Sequence, residues 1–472
     1  MSQDRILYAR STLLGRAVAT ALLATVSGTA AAQLVSYAGS TSPIEGRLQD
    51  QNVSPSGFQR ALGELIEDIC PSRAGDSQLL ASDDLTIRCT EIVVQGVSAK
   101  NEAGAGLAGM APEEVGAVAT IQVDADQDQV ASVRGRQASL RSGAARTSSL
   151  QMNIDGKSYA LGQDVAGSGL GAGNGRSGVG IFLNGNAASG DKERTFNETA
   201  FDFHTFSVTG GIDYQFTPSF VLGAAVGYTY NKAEIEQKSG DIETDGLSFF
   251  GYASFYPTDN IYIDALFGYT VTDFDQERAI RYNITALNNT SVTSVDNRAL
   301  SSTDGDEISG SLQLGYDWFS GGWNYGAYGR VQYARTEIDS FRERIANPNA
   351  AGSGLALAID KQTFTSVPAA IGLQIGKTFY TSWGEVYPQV FGEYTHEFSN
   401  NDKALTGQFV NDPTNTKFAL PSDEPDRDYV VYGARATALF GGGQSVYAMY
   451  QGLAGYSDLT LHAVEVGVRV DF

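Results

Sequence analysis

The chain has 472 residues, a formal net charge of −22, 54 Gly, 23 Tyr, 23 Phe and only 2 Cys. Such acidity excludes nucleic acid as a partner, because a phosphate backbone needs a basic surface. Past the N-terminus no run reaches the roughly 18 apolar residues of a spanning helix, and the length leaves room for two or three domains.

Arg5, Arg10 and Arg16 flank and precede a short apolar core, Ala17 to Val26, and Ala30, Ala31 and Ala32 supply small residues for cleavage. The pattern predicts a secretory signal peptide over 1–32, with the mature chain starting at Gln33. The core is too short to stay as an anchor. Export without a spanning helix leaves the periplasm, the outer membrane or the medium.

From Gln33 to about Pro55 the chain is polar and reads as a flexible leader. Phe58, Leu62, Leu65, Ile66 and Ile69 then recur at helical spacing, which predicts an amphipathic helix from Gly57 to Cys70, stopped by Pro71. Cys89 lies nineteen positions after Cys70. Two cysteines in an exported chain most simply form one disulfide, and closing a loop of that size stabilises by about 3 kcal/mol in the chain-entropy model. A metal pair fits poorly, with no His nearby. Neither a metal nor a cofactor is expected.

Met110-Ala111-Pro112-Glu113-Glu114 opens a second predicted helix, with Pro at its first position and acids in the first turn. It runs from Pro112 to about Arg141, weakened by Gly135, and gathers Arg134, Arg136 and Arg141 towards its C-terminal end. Gly-, Ala- and Ser-rich sequence follows through Gly178 and reads as a linker. The expected segments are thus a signal (1–32), a short helical passenger (33–111), a helix and linker (112–176) and a strand-rich domain (177–472).

Two motifs in the N-terminal third invite a chemical reading. Gly75-Asp76-Ser77-Gln78 resembles the start of a GDSL hydrolase block, but all three His residues (His204, His396, His462) lie in the strand-rich part, so a turn inside the Cys70–Cys89 loop is the preferred reading. Asp124, Asp126 and Asp128 have the opening spacing of a calcium loop, yet Gln129 and Gly135 stand where Gly and Glu are required.

From Ser177 onward long segments alternate with period two. Phe220, Leu222, Ala224, Val226, Tyr228 and Tyr230 share a face opposite Gly223, Ala225, Gly227, Thr229 and Asn231. The series Ile261 to Val271 and Val430 to Phe440 repeat the pattern, and Val464, Val466, Val468, Val470 and Phe472 end the chain opposite Glu465, Gly467, Arg469 and Asp471. A soluble edge strand gives the same alternation. The connections decide otherwise. Five are short, near Pro218, Pro257 to Asn260, Ser320 to Gly322, Thr381 to Trp383 and Gly441 to Gly443. They alternate with longer polar ones, at 190–197, 231–241, 275–306, 341–362 and 399–428, and a small one lies near Ser457, so the count is twelve strands. An even number of strands, short turns on one side and long loops on the other predict an all-β membrane protein, a twelve-stranded antiparallel barrel with apolar residues outward and polar residues in the lumen. Asp213, Asp264, Arg330, Glu393, Arg435, Glu465 and Arg469 are expected in that lumen, paired because a charge in low dielectric needs a partner.

Val179-Gly180-Ile181-Phe182-Leu183-Asn184-Gly185, Thr205 to Tyr214 and Leu222 to Tyr228 resemble the first three strands of type V autotransporter β-barrels, a likeness that covers roughly 177–472. Met110 to Val115 behind a Cys pair is similar to short passengers that precede such barrels. The resemblance implies a helix in the lumen and a passenger at the cell surface. It also implies a terminal signal, Val468, Val470 and Phe472, read by the barrel-assembly machinery, with periplasmic chaperones and outer-membrane lipid as the other partners. Larger family members carry β-helical passengers; no such repeat occurs here. Some cleave after an Asn-Asn pair in the pore, but Asn288-Asn289 and Asn400-Asn401 fall in expected outer loops, so the passenger is expected to stay attached. The expected function is display of a short, non-catalytic passenger for adhesion or another surface contact. A plugged pore is the alternative. A surface hydrolase ranks third, for want of a nucleophile–base pair.

Overall fold

The computed structural model describes residues 57–70, 83–92, 106–107, 109–112, 129–140, 151–154, 157–160, 178–236, 239–285, 292–399, 404–424, 426–440 and 444–471. The signal segment, the leader, the Ser77 turn, the Asp124–Asp128 run, both Asn pairs and Phe472 lie outside the described residues.

Twelve strands form one closed sheet. They are β1 (Val179–Lys192), β2 (Phe201–Thr217), β3 (Phe220–Ile235), β4 (Gly240–Phe255), β5 (Ile261–Thr285), β6 (Val292–Ser320), β7 (Trp323–Ile338), β8 (Pro368–Lys377), β9 (Gly384–Glu397), β10 (Asp428–Phe440), β11 (Gln444–Ala454) and β12 (Leu459–Asp471). Each pairs antiparallel with the next. The last pairs with the first, from Leu459↔Lys192 to Asp471↔Gly180, which leaves no open edge. Among the described residues no helix is long and apolar enough to cross a membrane.

Period two sorts the side chains to the two faces. On β12 Val464, Val466 and Val468 are exposed outward, while Glu465 and Arg469 are buried. The same rule exposes Leu222, Val226 and Tyr228 on β3, Phe267 and Tyr269 on β5, and Ile371 and Leu373 on β8. Aromatics such as Tyr316, Trp318, Trp323 and Phe379 gather near the short turns, and Trp318 stacks on Tyr325 with centroids 5.5 Å apart. A continuous exposed apolar belt edged by aromatics is the surface that a bilayer covers.

One expectation fails at the other end. The stretch 275–306, expected as a polar loop, is mostly paired strand: β5 and β6 run on from Asp275↔Ser302 to Thr285↔Val292. Along β5 the outward residues change from Phe267, Tyr269 and Val271 to Asp273, Asp275 and Glu277, while the inward ones change from Thr270 and Thr272 to Phe274, Ile280, Tyr282 and Ile284. Alternation continues but its apolar phase inverts, as it must when a strand leaves lipid for water and begins to enclose a core. The polar residues that look like a loop are the wet outer face of a projecting hairpin. The connections at 341–362 and 399–428 also hold strands. Phe341–Arg342, Leu357–Ile359, Leu405–Phe409 and Phe418–Leu420 form a separate four-stranded sheet.

Helix α1 (Gly57–Ile69) follows its predicted periodicity, burying Leu62, Leu65, Ile66 and Ile69. Helix α2 (Asp84–Thr90) is a short second arm; Asp83 caps it, its side chain accepting from the Thr86 amide at 3.3 Å. Helix α3 covers residues 129–140. Ala111 and Pro112 stand outside any helix, and 113–128 lie outside the described residues.

Candidate functional site: the lumen helix and the loop-end cap

Helix α3 lies inside the barrel and is bonded to its wall. Arg136 donates from Nε and Nη2 to both oxygens of Asp213, at 2.6 and 2.7 Å, and the Tyr252 hydroxyl donates to Asp213 at 2.9 Å. Ser132 donates to Glu465 at 2.9 Å, and the Asn184 amide to the Ser132 carbonyl at 3.3 Å. Gln129 donates to Thr229 at 2.5 Å; Gln137 reaches the Ala253 and Ala265 carbonyls at 3.0 and 3.1 Å. Val130, Val133 and Leu140 pack with Phe182, Val221, Ala225, Phe250 and Tyr252. All of this lies on the wall formed by β12 and β1 to β5. On the opposite wall α3 makes fewer bonds, Arg134 to Gln332 at 2.6 Å among them.

The other lumen charges take these places. Arg330 pairs with Glu393, which also accepts from Tyr328 at 2.9 Å. Asp264 accepts from Ser254 at 2.7 Å. Glu465 accepts from Tyr447 as well as from Ser132. Arg469 is buried, in register with Ser445 and Phe182. Arg435 approaches the Gly135 carbonyl at 3.5 Å and the Met449 sulfur at 3.1 Å. These residues were singled out by strand parity; their helix partners Gln129, Ser132 and Gln137 were not, because polar residues on a helix carry no mark of which wall they meet. The three histidines sit on the outer face: His204 is exposed, His396 bonds Asp428 at 2.7 Å, and His462 bonds Tyr450 at 2.7 Å.

The second feature caps the long-loop end. Leu62, Leu65, Ile66, Leu85, Ile92, Leu107 and Met110 share one core with Ile280, Tyr282, Ile284 and Val295 of the projecting hairpin and with Leu355, Leu357, Phe409, Phe418 and Leu420 of the loop sheet. A disulfide joins Cys70 to Cys89, and thereby the end of α1 to α2. One buried arginine ties three segments: Arg278 pairs with both oxygens of Glu343 at 2.7 and 2.5 Å and donates to the carbonyls of Met110 at 2.8 Å and Leu355 at 3.0 Å. Glu343 in turn accepts from the Leu357 amide at 2.7 Å.

Backbones touch at two glycines. A Cβ on Gly354 would lie 2.3 Å from the Leu85 nitrogen, and one on Gly109 would lie 2.0 Å from the Arg281 carbonyl oxygen. Neither position tolerates a side chain without separating the N-terminal segment from the loops.

Several carboxylates in this region are shifted from their ordinary range, Glu91, Glu198 and Asp412 among them. Burial raises Glu91 against the opposing pull of Arg88, which donates to it at 2.5 Å. Burial likewise raises Glu198, offset by Lys192 at 3.5 Å and reinforced by Asp423. Asp412 is raised by burial, but hydrogen bonds from Thr414 and Thr416 outweigh that and hold it below the usual range.

Among known proteins, the Escherichia coli K12 protein described as "Putative uncharacterized protein YaiT" is 24% identical over 197 residues, 41% of this chain. The matched stretch spans only 18% of that relative's length. The translocator domain of autotransporter NalP from Neisseria meningitidis superposes with a TM-score of 0.48 at 17% identity, covering 64% of this chain and 91% of that one. The beta domain of the Bordetella autotransporter Brka gives 0.41 at 19% identity, over 62% and 99%. The family profile of the autotransporter beta-domain matches residues 181–451, more than half of the 472. The matched span begins in β1 and ends in β11 of the closed twelve-stranded barrel, and the chain belongs to that family, as an outer-membrane autotransporter.

Proposed function

We propose that this autotransporter holds its own short N-terminal segment at the cell surface as a cap built jointly with the barrel loops, and that the cap acts by contact rather than by catalysis. The observation that supports this is the shared core. Leu62, Leu65 and Ile66 are buried in one cluster with Ile280, Tyr282, Leu357 and Phe418 of the hairpin and loops, together with Ala61, Ile69 and Leu85 of the helices. A segment that needs the loops to bury its apolar face stays with them. In this reading 1–32 is the signal, 33–111 the displayed segment, 112–176 the lumen helix and linker, and 177–472 the barrel. The short turns face the periplasm. Biogenesis uses periplasmic chaperones and the barrel-assembly machinery, with Val468, Val470 and Phe472 as the terminal signal.

An epitope tag inserted near Ser77, between the two cysteines, tests the orientation. Antibody labelling of intact cells, lost on protease shaving while the barrel is retained, is the expected outcome. A tag reached only after the outer membrane is permeabilised would place the cap in the periplasm and overturn the proposal.

A further inference from the structure

Helix α3 does not fill the lumen. It leans on β12 and β1 to β5, and a cavity of about 280 Å³ remains along the wall formed by β6 to β11. Pockets for small ligands begin near this size, roughly 300 Å³. The cavity's lining rises to Asp426 and Tyr456 among the long loops.

Its chemistry is two-sided. One flank is apolar and aromatic, with Tyr328, Phe391, Tyr429, Met449 and Leu453. The polar flank carries Arg134, Arg330 and Arg435 together with the carboxylates of Glu198, Asp264, Glu393, Glu397, Asp423 and Asp426. Arg134 and Arg330 both donate to Gln332 Oε1, at 2.6 and 2.8 Å, and Glu393 pairs with Arg330. Arg435 is different. Among the described residues no carboxylate lies within 4 Å of it, and its buried Nε has no hydrogen-bond partner. Its remaining contacts are the long bond to the Gly135 carbonyl, the Met449 sulfur and the Tyr447 ring, 5.2 Å away. Glu465 is the nearest acid, its Oε1 and the Arg435 Nη2 both converging on Gly135, but it is engaged by Ser132 and Tyr447. The acids nearer the loops are also engaged: Lys192 reaches Asp423 at 3.1 Å, and Ser366 donates to Glu397 at 2.6 Å.

We infer that this groove is a binding site for a small organic anion, a carboxylate with an apolar body, whose charge is met by Arg435 and whose body lies against Phe391, Tyr429 and Leu453. A guanidinium presents a planar fork of N–H donors matched to a carboxylate. Inside a protein such a charge stays costly until a counter-charge arrives. The aromatic flank selects a flat or aliphatic body over a hydrated inorganic ion.

The test is equilibrium binding of 2-naphthoate to the purified full chain in lipid nanodiscs, with empty discs as the partition control. Saturable binding is expected, weakened about tenfold or more in Arg435→Gln and less in Arg435→Lys, which keeps the charge but loses the fork. On the unaltered protein, the neutral analogue 2-naphthylmethanol should fail to displace the probe. Heat-dependent gel mobility verifies that each variant is a folded barrel. No saturable binding above empty discs, equal binding in Arg435→Gln, or full displacement by the neutral analogue would each overturn the site. None of these outcomes touches the orientation of the cap.

Discussion

Arg136 on the lumen helix and Asp213 on β2 form a two-bonded ion pair with side chains only 1% and 2% exposed. The pair fixes both the depth and the rotation of α3, because two parallel N–H···O bonds admit a single orientation of the fork. Breaking it from one side strands a buried charge. Asp213→Ala or Arg136→Ala should therefore cost about 3–5 kcal/mol. Joint replacement, Arg136→Met with Asp213→Leu, should cost far less than the two single changes together. Urea midpoints of the refolded barrel measure this; additive losses would show that the two residues act independently.

Gly354 lies with its backbone against Leu85 of α2, where an added Cβ would have no room, and its amide donates to Asp84 at 2.8 Å. Gly354→Ala should push α2 away and destabilise the cap by about 1–3 kcal/mol, the usual cost of overpacking. Limited proteolysis should then cut the N-terminal segment faster while the barrel band stays intact. Unchanged cleavage would mean that α2 is not held through this contact.

Glu198 links stability to pH at the β1–β2 connection. Its carboxyl is raised in the fold by burial, so the folded state holds the proton more tightly than the unfolded one. The contribution is greatest at and below the usual glutamate range and is lost as pH rises to the raised value. Asp412 has the opposite sign: it stabilises above the usual aspartate range and is lost as pH falls through its lowered value. Glu198→Gln should flatten the first dependence and leave the second. Hydrogen exchange of the 193–200 amides against pH, corrected for intrinsic rates, reads it directly; a slope that survives the substitution would assign it to another group.

Deleting the segment that carries α3 should open the barrel. Single-channel conductance of the full chain in a planar bilayer is expected to be low, and removal of 33–150 should raise it severalfold, since a helix about 10 Å across occupies most of a narrow lumen. Equal conductance of the two forms would mean that α3 does not obstruct the pore.

The barrel was legible because lipid and lumen impose opposite demands on alternate residues, and Leu222, Val226 and Tyr228 against Gly223, Gly227 and Thr229 record both. The lumen acids and arginines followed from the same parity. The cap did not. Asp273, Asp275 and Glu277 look like loop residues because the rule that assigns apolar side chains outward reverses once a strand clears the bilayer, and Phe274, Ile280 and Tyr282 then become the interior. The bounds of the short helix α2 are not legible because seven residues carry too little periodicity, although Asp83 three places before Thr86 is a readable cap. The Arg278–Glu343 tie joins residues sixty-five positions apart and has no local signature.

Strands β5 and β6 are 25 and 29 residues long, whereas crossing a bilayer takes about 9–11. One continuous pair of strands therefore passes through two solvents. Its lower part is held by hydrocarbon outside and polar groups within; its upper part excludes water in the ordinary manner of a globular domain. Reagents should tell the halves apart. Urea acts on the upper core directly, while detergent exchange disturbs the lower belt and leaves Ile280, Tyr282 and Ile284 shielded. Melting is then a two-stage process along a single hairpin, and a strand unravelled at its tip stays threaded at its base, ready to template its own return.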